Sequence, residues 1–153
     1  MRGNIIDSIS YKLYDKNKIL STAYQMIKQQ GVISLIEKLA SESADIEVVW
    51  LYGSRAKGNA NESSDYDLAV AYSDVNEKSA SNDYYTDDLA FKWSKKTSAD
   101  VSIIDINHIP VPLAISVISD GKVIFCRNDL RLHSEESRIW SMWEAYRYEY
   151  ARK

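Results

Sequence analysis

The chain has 153 residues, 45% of them hydrophobic and 27% charged, with a formal net charge of −3. That length favours one domain, residues 1–153, with a real core, since such a chain buries roughly two-thirds of its unfolded surface. The charge balance gives no basic excess that would make nucleic acid the main partner, and no direct nucleic-acid binding is expected. A single cysteine, Cys126, excludes an intrachain disulfide framework and fits a reducing compartment.

The first stretch, "MRGNIIDSISYK", lacks a long apolar core, so no secretory signal is expected. No apolar run reaches the ~18–20 residues that span a bilayer, so a cytoplasmic protein with no membrane partner is expected. Residues 1–15 carry no decisive pattern. Residues 16–30 place Ile19, Leu20, Ala23, Met26 and Ile27 at helical spacing, and Gly31 reads as a stop. A second helix is expected from about Val32 to Ser43, with Leu35, Ile36 and Leu39 on one side.

"IEVVWLYG" reads as a strand ended by Gly53, "RAKG" as a turn or short helix, and "NANESS" as a polar loop. "YDLAVAY" is the second strand, and residues 74–82 form another polar loop. "DYYTDDLAFKWSKK" predicts a helix with Tyr85, Leu89 and Trp93 inward; Tyr84 and Tyr85 read as helix-core residues, with stacking on a nucleobase as the alternative. "ADVSIIDI" is the third strand. Pro110 and Pro112 precede a short helix, "LAISVIS"; Asp120-Gly121 is a turn signal, and "KVIFC" is a fourth strand that holds Cys126 as a buried thiol. His108, beside Pro110, reads as a solvated loop residue.

A long helix without proline or glycine runs over about 130–152. Ile139, Trp143, Tyr146 and Tyr150 form one stripe along it, Met142 widens the stripe, and Trp140 and Tyr148 lie off it. Aromatic residues around more of a helix than one core contact requires are of the interface-enriched type, so core and partner contact both stay open for this helix. Strands alternating with helices indicate an α/β sheet covered by helices.

Asp65 and Asp67 lie two apart at the start of a strand, which sets their side chains on one face. Two carboxylates that close disfavour each other's ionisation unless a cation lies between them, and Mg²⁺ takes such oxygen donors together with phosphate. Upstream, Gly53 allows a sharp turn after its strand, where the amides of Ser54 and Arg55 can face an anion and Arg55 and Lys57 add positive charge. Asp100, also at a strand start, can join the pair if the second and third strands are neighbours. Asp105 is odd-spaced from Asp100 and is expected to end the strand in solvent.

Gly53-Ser54, ten residues, then Asp65-Tyr66-Asp67 resembles the G-S-x10-D-x-D signature of the DNA polymerase β-like nucleotidyltransferase superfamily. The wider stretch, "LYGSRAKG" and then "SDYDLAV", is similar to its minimal nucleotidyltransferase branch, and within it to MntA-type antitoxins of HEPN/MNT toxin–antitoxin pairs. The resemblance covers a core of about 46–126. It implies a mixed sheet of about four strands flanked by helices, two Mg²⁺ ions, and transfer of a nucleoside monophosphate from a triphosphate such as ATP. It further implies catalytic and metal-binding roles for Asp65, Asp67 and Asp100, with phosphate binding by Gly53, Ser54 and Arg55. The partner it implies is a HEPN ribonuclease toxin, silenced by transfer of AMP to a tyrosine. A binding-only antitoxin and an aminoglycoside-like small-molecule transferase remain the alternatives.

Overall fold

A computed structural model describes residues 5–73 and 83–152; the side chains of residues 5–7, 83 and 84 fall outside that description. The polar loop expected at 74–82 and the side chain of Tyr84 therefore lie outside the described residues. The elements run in order α1 (Ile5–Glu42), β1 (Ile46–Tyr52), α2 (Ser54–Lys57), β2 (Tyr66–Tyr72), α3 (Asp83–Thr97), β3 (Val101–Asp105), α4 (Val111–Asp120), β4 (Lys122–Cys126) and α5 (Asp129–Ala151). Contacts divide the chain into two units, residues 1–34 and residues 35–153.

The first unit differs from expectation. One helix runs through Gly31 where a stop and a second helix were expected. A lone glycine inside a helix costs only about 1 kcal/mol relative to alanine, and good helix formers lie before it (Lys28, Gln29, Gln30) and a turn after it (Leu35, Glu37, Lys38, Leu39). Ile9, Leu13, Leu20, Tyr24 and Ile27 of this unit are all more than half exposed.

The second unit contains a four-stranded sheet in the order β3-β2-β1-β4. β1 pairs antiparallel with both β2 and β4, whereas β2 and β3 are parallel and joined through α3. The sheet is thus mixed, as expected. Val48, Trp50, Ala69 and Ala71 line one face and form a core with Ala114, Ile115 and Val117 of α4 and Ile139 of α5. Val49, Leu51, Leu68 and Val70 alternate with them and are fully buried on the other face. Leu89 and Trp93 of α3 are buried, as their spacing predicts.

α5 keeps its stripe as far as Ile139, which is buried, and Trp143, which packs against the same core. Beyond that the helix emerges: Tyr150 is exposed, and so are Trp140 and Tyr148 off the stripe. Cys126 corrects an expectation. It is only half-buried because β4 is an edge strand, and its thiol donates to Asp129 Oδ1 at 3.4 Å.

Two arginines fasten the helices to the sheet. Arg127 Nε donates to Ile46 O and its Nη2 to the carbonyls of Ala40 and Ser41, closing the end of α1. Arg131 donates to Tyr72 O, Asn107 Oδ1 and the buried Glu135, and Arg138 Nε also donates to Glu135. Burial alone would raise the Glu135 pKa, but the hydrogen bonds from Asn107, Arg138 and Arg131 win and hold it below the ordinary glutamate value. A carboxyl lowered in this way contributes stability above its unfolded pKa, and that stability is lost as pH falls through the folded value. Glu135→Gln is expected to cost roughly 2 kcal/mol at neutral pH, because the partly buried guanidinium groups of Arg131 and Arg138 lose charge-assisted hydrogen bonds. The gap to wild type should narrow below about pH 4. Urea unfolding at both pH values checks this, and a constant gap would contradict it.

Candidate active site

The site is built at the end of β1 and the head of β2. β1 stops at Tyr52 because Gly53 takes φ 71° and ψ −153°, a backbone region that glycine alone enters freely. The amides of Ala56 and Lys57 both donate to Gly53 O, which winds the chain into the single turn α2. The antiparallel register then sets Tyr52 opposite Asp67, so the turn is brought directly against the aspartate pair. The approach is close: a Cβ on Gly53 would stand 2.4 Å from Asp67 Oδ2. The glycine is required for space as well as for its turn.

Asp65 and Asp67 flank Tyr66 at the head of β2, on the face that α4 and α5 cover further along the strand. Burial raises the pKa of Asp67, and the neighbouring charge of Asp65 raises it further. That cooperation is the electrostatic mark of two carboxylates sharing one place. Two oxygen donors on one face beside a turn that carries the Ser54 hydroxyl are a donor set that fits Mg²⁺ and a phosphate. The Tyr52 hydroxyl is raised too, by burial and then by the charge of Asp67.

Asp100 comes to the same place through the backbone. β2 and β3 are parallel with Tyr66 opposite Val101, which puts Asp100 beside Asp65, and Tyr66 N donates to Asp100 O at 2.8 Å. The side chains do not converge: among the described residues, no three His, Cys, Asp or Glu are gathered closely enough to hold a metal ion. Like charges repel at close approach, and Asp100 is exposed. Asp105 lies at the opposite end of β3, where its carboxylate accepts from Asn107 N and pairs with His108 Nδ1 at 2.8 Å.

Arg55 requires a correction. The sequence places it at the phosphates, yet its side chain is buried and turned into the loop before β2. Nε and Nη2 both donate to Ser64 O, at 3.2 and 2.7 Å, and the guanidinium lies 4.3 Å from the centroid of the Tyr66 ring. Hydrogen bonds to carbonyls satisfy a buried cation that would otherwise be costly. Lys57 remains exposed, 4.0 Å from Asp120.

Tyr85 is also occupied elsewhere. It donates to Asp45 Oδ2 at 2.5 Å and meets the Tyr72 ring edge-on, a packing role and not a base-stacking one. Sequence reasoning missed Tyr52, whose only signal is its place one residue before Gly53. A groove of about 660 Å³ lies apart from the carboxylates, beside Trp143, Tyr146, Arg147 and Tyr150 of α5. Among the described residues, no helix is long and apolar enough to cross a membrane.

A family model described as "Polymerase beta, Nucleotidyltransferase" matches residues 34–130, more than half of the chain. Over 93 residues the chain is 28% identical to the "Protein adenylyltransferase MntA" of Aphanizomenon flos-aquae; the match takes in 58% of this chain and 62% of that protein, less than two-thirds of the relative's length. Two solved structures share the fold. A toxin–antitoxin with AMP-PNP superposes with a TM-score of 0.64 at 21% identity, over 79% of this chain and 90% of that one. A tri-AMPylated Shewanella oneidensis HEPN toxin in complex with MNT antitoxin gives a TM-score of 0.59 at 20% identity, over 82% of this chain and 91% of that one.

Proposed function

Because the chain belongs to the polymerase beta nucleotidyltransferase family, we propose that it transfers AMP from ATP to a tyrosine hydroxyl of a HEPN-type partner protein and silences that partner, acting as an antitoxin. The observation that carries the reading is the Asp65–Asp67 pair seated against the Gly53 turn.

The chain's own residues divide the work. Gly53 and Ser54 present backbone and hydroxyl to the triphosphate, and Asp65, Asp67 and Asp100 are the residues that would hold Mg²⁺. When bound, Mg²⁺ supplies positive charge for the departing pyrophosphate and lowers the pKa of the attacking hydroxyl. The tyrosine oxygen bonds to the α-phosphorus as the α–β bridging bond breaks, pyrophosphate leaves, and Asp100 takes the hydroxyl proton. Positioning and charge stabilisation supply most of the acceleration, as in phosphoryl transfer generally.

The partner's surface is assigned to the outer end of α5, where Trp143 stacks on Tyr146 and Tyr146 on Tyr150 while Tyr148 stays exposed. Tyr150→Ala, which removes an exposed ring packed on Tyr146, is expected to weaken partner binding roughly tenfold, as interface aromatics do. Calorimetric titration against the partner checks it; unchanged affinity would move the interface elsewhere.

Incubation of the chain with ATP, Mg²⁺ and the protein encoded beside it tests the whole reading: intact-mass spectrometry should show the partner heavier by whole AMP units. One observation favours a second reading, a binding-only antitoxin, namely that Asp100 does not gather with Asp65 and Asp67 into a group of three that could hold a metal ion. Inhibition of the partner without any mass gain would establish that reading instead.

A further inference from the structure

We propose that Arg55 is the positioning residue of the carboxylate pair: its guanidinium grips the carbonyl just before Asp65, lies on the Tyr66 ring just after it, and so sets where Asp65 and Asp67 stand. The inference rests on the reading that these two acids hold the metal. Ser64, whose carbonyl accepts from both Nε and Nη2, immediately precedes Asp65. Nη2 also reaches Glu62 O at 3.4 Å. Tyr66, whose ring lies under the guanidinium, separates Asp65 from Asp67.

The loop needs such a hold. Asp65 lies just outside β2, which begins at Tyr66, so the sheet holds it only from its C-terminal side, where Tyr66 N donates to Asp100 O. The rest of the loop is held by short-range contacts within itself, with Asn61 Oδ1 accepting from Ser63 N and Asn61 O from Ser64 N. Those bonds give it a shape but do not tie it to the sheet. Arg55 supplies that tie from α2, the turn that follows Gly53. One residue therefore joins the phosphate-side turn to the metal-side acids, and a planar two-donor fork lying on a ring face is a geometry that lysine cannot copy.

The test compares wild type with Arg55→Lys and Arg55→Met in two measurements. Electron paramagnetic resonance of added Mn²⁺ reads metal affinity on the chain without ATP or partner. Transfer kinetics with ATP and partner separate kcat from the KM for ATP. A shift of about 1 Å in a reacting group can lower a rate roughly 100-fold. Both variants should therefore bind Mn²⁺ at least tenfold more weakly and lose kcat by roughly 10- to 100-fold, with the KM for ATP unchanged. Lysine should fail to rescue although it keeps the charge. Should Arg55→Met not fold, Arg55→Lys decides.

Wild-type Mn²⁺ affinity and kcat in Arg55→Lys would overturn the inference. So would a raised KM at full kcat, which would put Arg55 on the phosphates. A wild type that binds Mn²⁺ but labels no partner would remove the proposed reaction alone, and the clamp would then stand or fall on the Mn²⁺ measurement. A wild type that binds no Mn²⁺ overturns both.

Discussion

Asp67→Asn is expected to lower AMP transfer by roughly 10³-fold while the protein itself melts at a higher temperature. The loss follows from taking one of three negative oxygen donors out of a site whose charge stabilisation is worth several kcal/mol in the transition state. The gain follows from electrostatics already present in the fold. Burial and the charge of Asp65 both push the Asp67 pKa up. A carboxyl raised in the folded state adds stability below its unfolded pKa, and that stability is lost as pH rises through the folded value. At neutral pH, then, ionised Asp67 costs stability, and the isosteric amide removes the cost. The difference in melting temperature between variant and wild type should shrink on acidification towards the carboxylate range, about pH 4. Calorimetry across that range, on protein stripped of metal, checks the sign. A variant that is less stable than wild type at neutral pH, or one that keeps its activity, would contradict the account.

Gly53→Ala should damage both fold and function, through backbone strain and through the approach to Asp67. Its φ of 71° with ψ of −153° is costly for any residue with a Cβ, on the order of 1–3 kcal/mol. The added methyl would also meet Asp67 Oδ2 at 2.4 Å and Cγ at 3.3 Å. One kcal/mol shifts the melting temperature of a body this size by about 3–5 °C, so a fall of roughly 5–15 °C is expected, with transfer lost because Asp67 must move. The two causes separate in a double-mutant cycle. In an Asp67→Ala background the carboxylate is gone, so Gly53→Ala should pay only the backbone strain and cost measurably less. Equal costs in the two backgrounds would mean that the approach of Gly53 to Asp67 carries no weight.

How far the sequence was legible depended on how local each signal was. β2 was readable to the residue, because "YDLAVAY" alternates cleanly and its neighbours are polar. Asp65 and Asp67 were readable because a two-residue spacing on a strand fixes a shared face whatever the rest of the chain does. The approach of Gly53 to Asp67 was not, since it depends on β1 and β2 being paired with Tyr52 opposite Asp67. Arg55 misled for a similar reason. A cation in a glycine-started turn suggests an anion, and only the path of residues 59–66 reveals two carbonyls and a ring waiting for it. Gly31 was given the weight of a stop signal, yet the helix-forming residues on both sides carry α1 past it. The outer end of α5 shows the limit of periodicity: the stripe predicts a buried face, yet burial stops after Ile139 and Trp143 and Tyr150 is exposed.

The most direct measurement is anomalous diffraction from crystals grown with Mn²⁺ and a non-hydrolysable ATP analogue. The account predicts manganese peaks between Asp65 and Asp67, drawing in the side chain of Asp100, with the triphosphate lying over Gly53 and Ser54. Analogue bound elsewhere, or bound there with no peak touching either Asp65 or Asp67, would contradict it.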